Sequence, residues 1–236
     1  MHKPYRWILR GLTGILLFGL IGLMVVMILT YEAMPEAKQM IELDDVRLEN
    51  GMYILEPHEF EANIVIYQGG LVQTEAYLVL ANLLKEEGFR VFLPKMPLNL
   101  AIINQNALLE IQTLYPSDLE WIGVGHSLGG ATLSFVAENL DVLILLGAYP
   151  ASSQDLSELD IQVLSITAEF DEVLNQDNFE NTKSLLPDAT IYEVILGGNH
   201  AYFGFYGAQR GDGAATITRL QQHQMTVSLI VEFIRG

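Results

Sequence analysis

Gly125-His126-Ser127-Leu128-Gly129 puts a serine between two glycines in the pattern G-x-S-x-G. A serine hydroxyl is a weak nucleophile at neutral pH, so it needs a general base beside it and an acid to orient that base. The chain holds five histidines. His2 precedes a long apolar run, His58 precedes the serine, His126 adjoins it and supports the turn, and His223 falls inside the last helical pattern. His200 lies in the glycine-rich stretch Gly197–Gly213, "GGNHAYFGFYGAQRGDG", and is the candidate base. Asp171, in "AEFDEV", is the candidate acid, with Glu169, Glu172 and Asp177 as rivals. The order serine, acid, histidine suits acyl transfer through a covalent intermediate.

These residues need elements to bring them together. Trp121–Val124 reads as a strand and Leu128–Leu140 as a helix, so Ser127 sits at a sharp strand-to-helix turn. The N–H of Leu128, at the helix start, can face a developing oxyanion. A second donor is expected from Gly70 or Leu71, in Tyr67-Gln68-Gly69-Gly70-Leu71 after the strand Asn63–Tyr67. Val46–Leu48 and Met52–Leu55 flank Asn50-Gly51, a hairpin signal. Further strands are expected at Arg90–Leu93, Val142–Leu146, Ile161–Thr167 and Thr190–Ile195. Further helices are expected at Glu75–Glu87, Leu100–Leu114 and Ala214–Arg235, with Asp212 in the N-cap region of the last. Alternation of this kind predicts an α/β protein with a mostly parallel sheet and helices on both faces.

The segments "YQGGLVQTEAY", "GHSLGGA" and "GGNHAYFGFYGAQRGDG" resemble the α/β-hydrolase superfamily, and within it a subgroup of small, often membrane-anchored bacterial proteins (α/β-hydrolase fold-5-like). The resemblance runs from about Asn63 to the C-terminus. It implies the α/β-hydrolase fold, a triad of Ser127, Asp171 and His200, and hydrolysis of carboxylic esters or related acyl bonds. Gln68 departs from the histidine of the lipase His-Gly-Gly-Gly loop, and the cysteine nucleophile of dienelactone-hydrolase-like relatives is absent. The short connection Gly147–Asp160 predicts a minimal lid and an open site, rimmed by Tyr149 and the aromatics of 201–206. Acyl transfer by the same triad, and a non-catalytic binding domain on the same fold, are the alternatives. No metal or organic cofactor is required by this chemistry.

Composition narrows the partners. Three of the 12 basic residues, Lys3, Arg6 and Arg10, precede residue 11, and all 29 acids follow residue 31. So acidic a domain repels nucleic acid, which is set aside as a partner. The chain has no cysteine, which removes thiolate catalysis, disulfides and a lipoprotein anchor. From Gly11 to Tyr31 no residue is charged, long enough to span a bilayer as a helix. The basic flank predicts a cytoplasmic N-terminus and an extracytoplasmic domain. The organisation expected is a basic tail at 1–10, a transmembrane signal-anchor at 11–31, a polar stalk at 32–45 and the catalytic domain at 46–236. A cleaved signal peptide is the rival to a retained anchor. The substrate expected is a small-molecule or lipid-like acyl compound. The "RGD" at 210–212 is read as loop, not as an adhesion signal.

Overall fold

Runs of Val, Ile and Leu bounded by turns and alternating with amphipathic segments form the strands of one sheet. The computed structural model describes residues 28–40 and 46–236, together with Leu12 and Gly22. The eight strands are β1 (Val46–Glu49), β2 (Met52–Leu55), β3 (Ala62–Tyr67), β4 (Phe89–Pro94), β5 (Trp121–His126), β6 (Val142–Leu146), β7 (Gln162–Ala168) and β8 (Ile191–Ile195). They lie in the order β1-β2-β4-β3-β5-β6-β7-β8. β1 and β2 form the expected hairpin, its turn made by Asn50 and Gly51 at φ 50° and 74°. β2 joins β4 antiparallel, and every pair from β4 through β3 to β8 is parallel.

The central strands are buried on both faces, which is why they read as unbroken apolar runs. Successive residues of β3 serve opposite cores. Ile64 and Ile66 pack with Leu80, Leu84, Val227 and Ile230, which come from α2 (Leu78–Glu86) and α6 (Arg219–Arg235). Val65 and Tyr67 pack with Leu108, Ile111 and Leu133, from α3 (Ala107–Leu114) and α4 (Leu128–Leu133). Because β3 to β8 run parallel, their carboxyl ends, and the loops that leave them, lie together at one edge of the sheet.

Several expected helices differ in extent. The span 100–114 divides into a 3₁₀ turn at Ala101–Asn104 and α3. The buried Tyr67 hydroxyl causes the break: it donates to the Gln105 carbonyl at 2.9 Å and accepts from the Leu108 N–H at 2.8 Å. The helix expected to reach Leu140 is α-helical only to Leu133 and continues as a 3₁₀ segment, Ser134–Asn139. The last helix starts at Arg219 rather than Ala214. Thr218 caps it in a reciprocal box with Gln221, so Asp212 is not its cap. A short polar helix, α5 (Gln176–Thr182), capped by Asn175, lies between β7 and β8 and was not foreseen.

The polar stalk expected at 32–45 is also corrected as far as Met40. Tyr31 bridges Val72, Ala33 bridges Tyr206, and α1 (Pro35–Gln39) buries Ala37 completely. Backbone pairing to strand-like loops needs no apolar side-chain pattern, so composition misleads there. The segment 11–31, expected to cross the membrane, lies mostly outside the described residues. Among the described residues no helix is long and apolar enough to cross one.

Candidate active site

Ser127 occupies the tip of the turn between β5 and α4, at φ 52° and ψ −119°, a conformation unfavourable for any residue with a side chain. Crowded backbones hold it there. A Cβ on Gly129 would fall on the Tyr67 carbonyl, and one on Gly125 would fall on the Gly130 backbone. The Ser127 N–H donates to the Leu146 carbonyl at 3.0 Å, which ties the turn to the end of β6.

His200 is brought to the same place by the loop after β8. Its Nδ1 lies 2.8 Å from Asp171 Oδ2, and both side chains are almost fully buried. The other Asp171 oxygen accepts the N–H groups of Val173, at 3.0 Å, and Leu174, at 2.8 Å. A carboxylate fixed at both oxygens sets the imidazole plane and places its hydrogen on Nδ1. Among the described residues, Ser127 included, none is hydrogen-bonded to the buried His200 Nε2. Of the rival acids, Glu169 instead accepts the Gly197 N–H at 2.8 Å, and Asp177 lies in the first turn of α5.

Ser127, Leu128, Tyr149, Leu174 and His200 line one cavity of about 280 Å³. The connection between β6 and β7 consists of turns with no helix, so it supplies no cap. Leu128 is the first residue of α4, and its N–H has no intrahelical acceptor. Opposite, Leu71 is removed as an oxyanion donor, because its N–H is bound to the Asn99 carbonyl at 2.8 Å. The Gly69 N–H is likewise taken, by the Tyr77 hydroxyl at 2.8 Å. No described residue accepts the N–H of Gly70, and a Cβ there would sit 3.1 Å from Leu128 Cδ2. Gln68, the departure from the lipase pattern, holds this loop by bonding the Val72 carbonyl at 2.5 Å and the Thr74 hydroxyl.

Polar residues for which the sequence suggested another role or none assemble the histidine loop. Asp212 accepts the N–H groups of His200, at 3.2 Å, and Ala201, at 2.8 Å. Gln222, wholly buried in α6, donates to the Asn199 carbonyl at 2.8 Å and accepts its N–H at 3.0 Å. Arg219, one turn earlier, donates to the Ala201 and Gly204 carbonyls, each at 2.6 Å. The i, i+3 spacing of Arg219 and Gln222 on a helix following the loop was the available signal. Tyr206 donates to Gln209 at 3.0 Å. Phe203, Phe205 and Tyr206 are buried and pack the loop onto the core, so among the expected rim aromatics only Tyr149 lines the cavity.

Tyr77 was also missed. Its hydroxyl accepts the Gly69 N–H at 2.8 Å and shares a hydrogen bond with His126 Nδ1, 2.7 Å away. The His126 ring lies 4.6 Å from the His200 ring, centroid to centroid. Burial, reinforced by the neighbouring His200, holds His126 well below the ordinary histidine range, so this imidazole is neutral. Tyr77 and His126 therefore link the loop at Gly70, the turn at Ser127 and the ring of His200. Among the described residues no group of three or more His, Asp or Glu side chains is disposed to hold a metal ion.

Known proteins share this architecture. The structure resembles MGS-MChE2, an alpha/beta hydrolase enzyme from the metagenome of sediments of the Mar Chica lagoon, Morocco, at 19% identity and a TM-score of 0.59, covering 80% of this chain and 97% of that one. It resembles a thermophilic esterase from Thermogutta terrifontis at 13% identity and a TM-score of 0.59, covering 81% and 96%. It also resembles a dienelactone hydrolase from Anabaena variabilis at 15% identity and a TM-score of 0.58, covering 78% and 90%. Identities this low show the fold alone. No curated protein matches by sequence. Residues 63–224 match the sequence profile of the alpha/beta hydrolase family, which spans the turn at Ser127, Asp171 and His200; the chain belongs to that family.

Proposed function

We propose that this protein is a membrane-anchored serine hydrolase that cleaves carboxylic esters or related acyl bonds. The observation that carries the reading is the His200–Asp171 pair at 2.8 Å, with an unpartnered Nε2 on a ring that shares a cavity with Ser127. Ser127 Oγ attacks the acyl carbonyl while His200 Nε2 takes its proton. The oxyanion that forms is met by the N–H groups of Leu128 and Gly70. The carbonyl–oxygen bond to the alcohol then breaks, and His200 returns the proton to the departing oxygen. Water, deprotonated by the same nitrogen, attacks the acyl-enzyme and releases the acid with Ser127 restored. Asp171 keeps the imidazole in the tautomer that can accept at Nε2.

The alpha/beta hydrolase family profile over residues 63–224, which takes in Ser127, Asp171 and His200, supports a hydrolytic reaction. The uncharged run 11–31 after three basic residues supports a retained anchor, a cytoplasmic N-terminus and a catalytic domain outside the membrane. Hydrolysis of p-nitrophenyl acetate by the full chain in detergent tests the reading. Turnover is expected from the native protein and is expected to fall at least about 10³-fold in Ser127→Ala and in His200→Ala. Equal turnover in all three folded proteins would remove it.

A further inference from the structure

The chain that leaves residue 30 is stitched at once to both loops that flank the site. The Tyr31 N–H donates to the Leu71 carbonyl at 2.7 Å, and the Tyr31 carbonyl accepts the Gln73 N–H at 3.0 Å. The Ala33 N–H donates to the Gln73 side chain at 3.0 Å, and the Met34 N–H to the Phe205 carbonyl at 2.8 Å. Leu71 belongs to the Gly70 loop and Phe205 to the His200 loop. The end of the proposed anchor is therefore bonded to the residue that follows Gly70.

An apolar lip stands beside the same loop. From Met96 to Leu109 no residue is charged, in a chain with 29 acids. Leu98, Ile102 and Ile103 expose 45%, 43% and 50% of their surface. Leu98 and Asn99 both lie in the left-handed region, at φ 55° and 56°, an unfavourable pair for non-glycine residues. That backbone turns the Leu98 side chain to the outside while the Asn99 carbonyl holds the Leu71 N–H. The strained pair thus does two things: it holds the Leu71 N–H and leaves the Leu98 side chain at the surface.

We infer that the lip formed by Leu98, Ile102 and Ile103 docks on the bilayer, and that the site takes its acyl group from a membrane-resident amphiphile. The inference rests on the serine-hydrolase reading and on the anchor at 11–31. A tether ending at Tyr31 keeps this edge of the domain near the surface and raises the effective concentration of anything dissolved in it. The lip is uncharged, and uncharged apolar side chains are what an interface accepts. The cavity of about 280 Å³ is small for a long acyl chain. The ester carbonyl enters, and the remainder of the chain stays in the lipid. Cleavage transfers the acyl group to Ser127 and leaves the alcohol on the headgroup fragment; water then frees the fatty acid.

The chain has no cysteine, so Ile102→Cys accepts a single environment-sensitive label in the full protein reconstituted into phosphatidylcholine vesicles. Leu114→Cys, 52% exposed at the end of α3 that leads into the start of β5, is the control. Brominated acyl chains are expected to quench the label at 102 and to spare the one at 114. In parallel, turnover of a long-chain fluorogenic ester dissolved in the bilayer is compared with turnover of p-nitrophenyl acetate. Ile102→Ser combined with Ile103→Ser is expected to lower the ratio of the two about tenfold. Absent quenching at 102, equal quenching at both positions, or an unchanged ratio overturns the inference. Failure to hydrolyse either ester, with no effect of Ser127→Ala, overturns the hydrolase reading instead, and the label still reports whether the lip meets lipid.

Discussion

Ser127 stands on a turn held by backbone crowding, whereas His200 stands on a loop held by polar side chains from elsewhere. At the turn, Gly125 and Gly129 press against the Gly130 backbone and the Tyr67 carbonyl, and nothing larger fits. In the loop, Asp212, Asn199, Gln222 and Arg219 satisfy successive backbone groups around the histidine. Steric confinement is all-or-none, while a hydrogen-bond network can lose a member and keep its shape. Substitutions at the two places should therefore fail in different ways.

The largest effect is expected at the turn. Gly129→Ala puts a methyl group on the Tyr67 carbonyl and should destabilise the fold by about 3 kcal/mol or more, read as a lowered thermal midpoint. A midpoint close to native would break the contrast, because the turn would then be compliant. Asp171→Asn should fold normally and lose about 10⁴-fold in kcat, since the amide no longer enforces the tautomer. Asp212→Asn touches only the loop. It weakens two charge-assisted bonds, to the His200 and Ala201 N–H groups, and should cost roughly tenfold in kcat with KM little changed.

Tyr77→Phe sharpens the comparison, because Tyr77 joins both regions. It leaves the buried Gly69 N–H without an acceptor, at a cost of about 1–3 kcal/mol in urea unfolding. It also frees His126, which lies against His200, so a loss of kcat is expected alongside the loss of stability. The smallest effect concerns pH. Burial, with Arg219 second, pushes His223 down to about 3, while in the unfolded chain it titrates near 6.5. The unfolded state then binds the extra proton, so stability is complete above about 6.5 and falls by up to about 1.4 kcal/mol per pH unit toward 3. His126 acts in the same direction. Urea unfolding between pH 7 and pH 5.5 should show a shallower pH slope in His223→Leu; an unchanged slope would place the acid sensitivity elsewhere.

The same contrast explains what could be read from the sequence. The turn is local: five residues between a strand and a helix declare it, and the fold follows from alternating apolar runs. His200 and Asp171 were legible because each follows a strand of the parallel sheet. The network around His200 was not, since Asp212, Gln222 and Arg219 act on backbone groups 11 to 23 residues away and look like ordinary polar surface. Asp212 was accordingly misread as a helix cap. Leu71 was kept as an oxyanion donor because nothing in the chain foretold that Asn99 would take its N–H. Tyr77, 49 residues from His126, carried no pattern at all. Residues 32–40 looked like a stalk because their attachment runs mainly through backbone bonds, which composition does not record.

In the proposed reaction Ser127, activated by His200, forms a covalent acyl intermediate. Incubation of the full chain with a fluorophosphonate, followed by peptide mass mapping, tests it most directly. One adduct per chain is expected, on Ser127, with labelling lost in folded His200→Ala. An unlabelled native protein, or an adduct that forms equally well without His200, would contradict it.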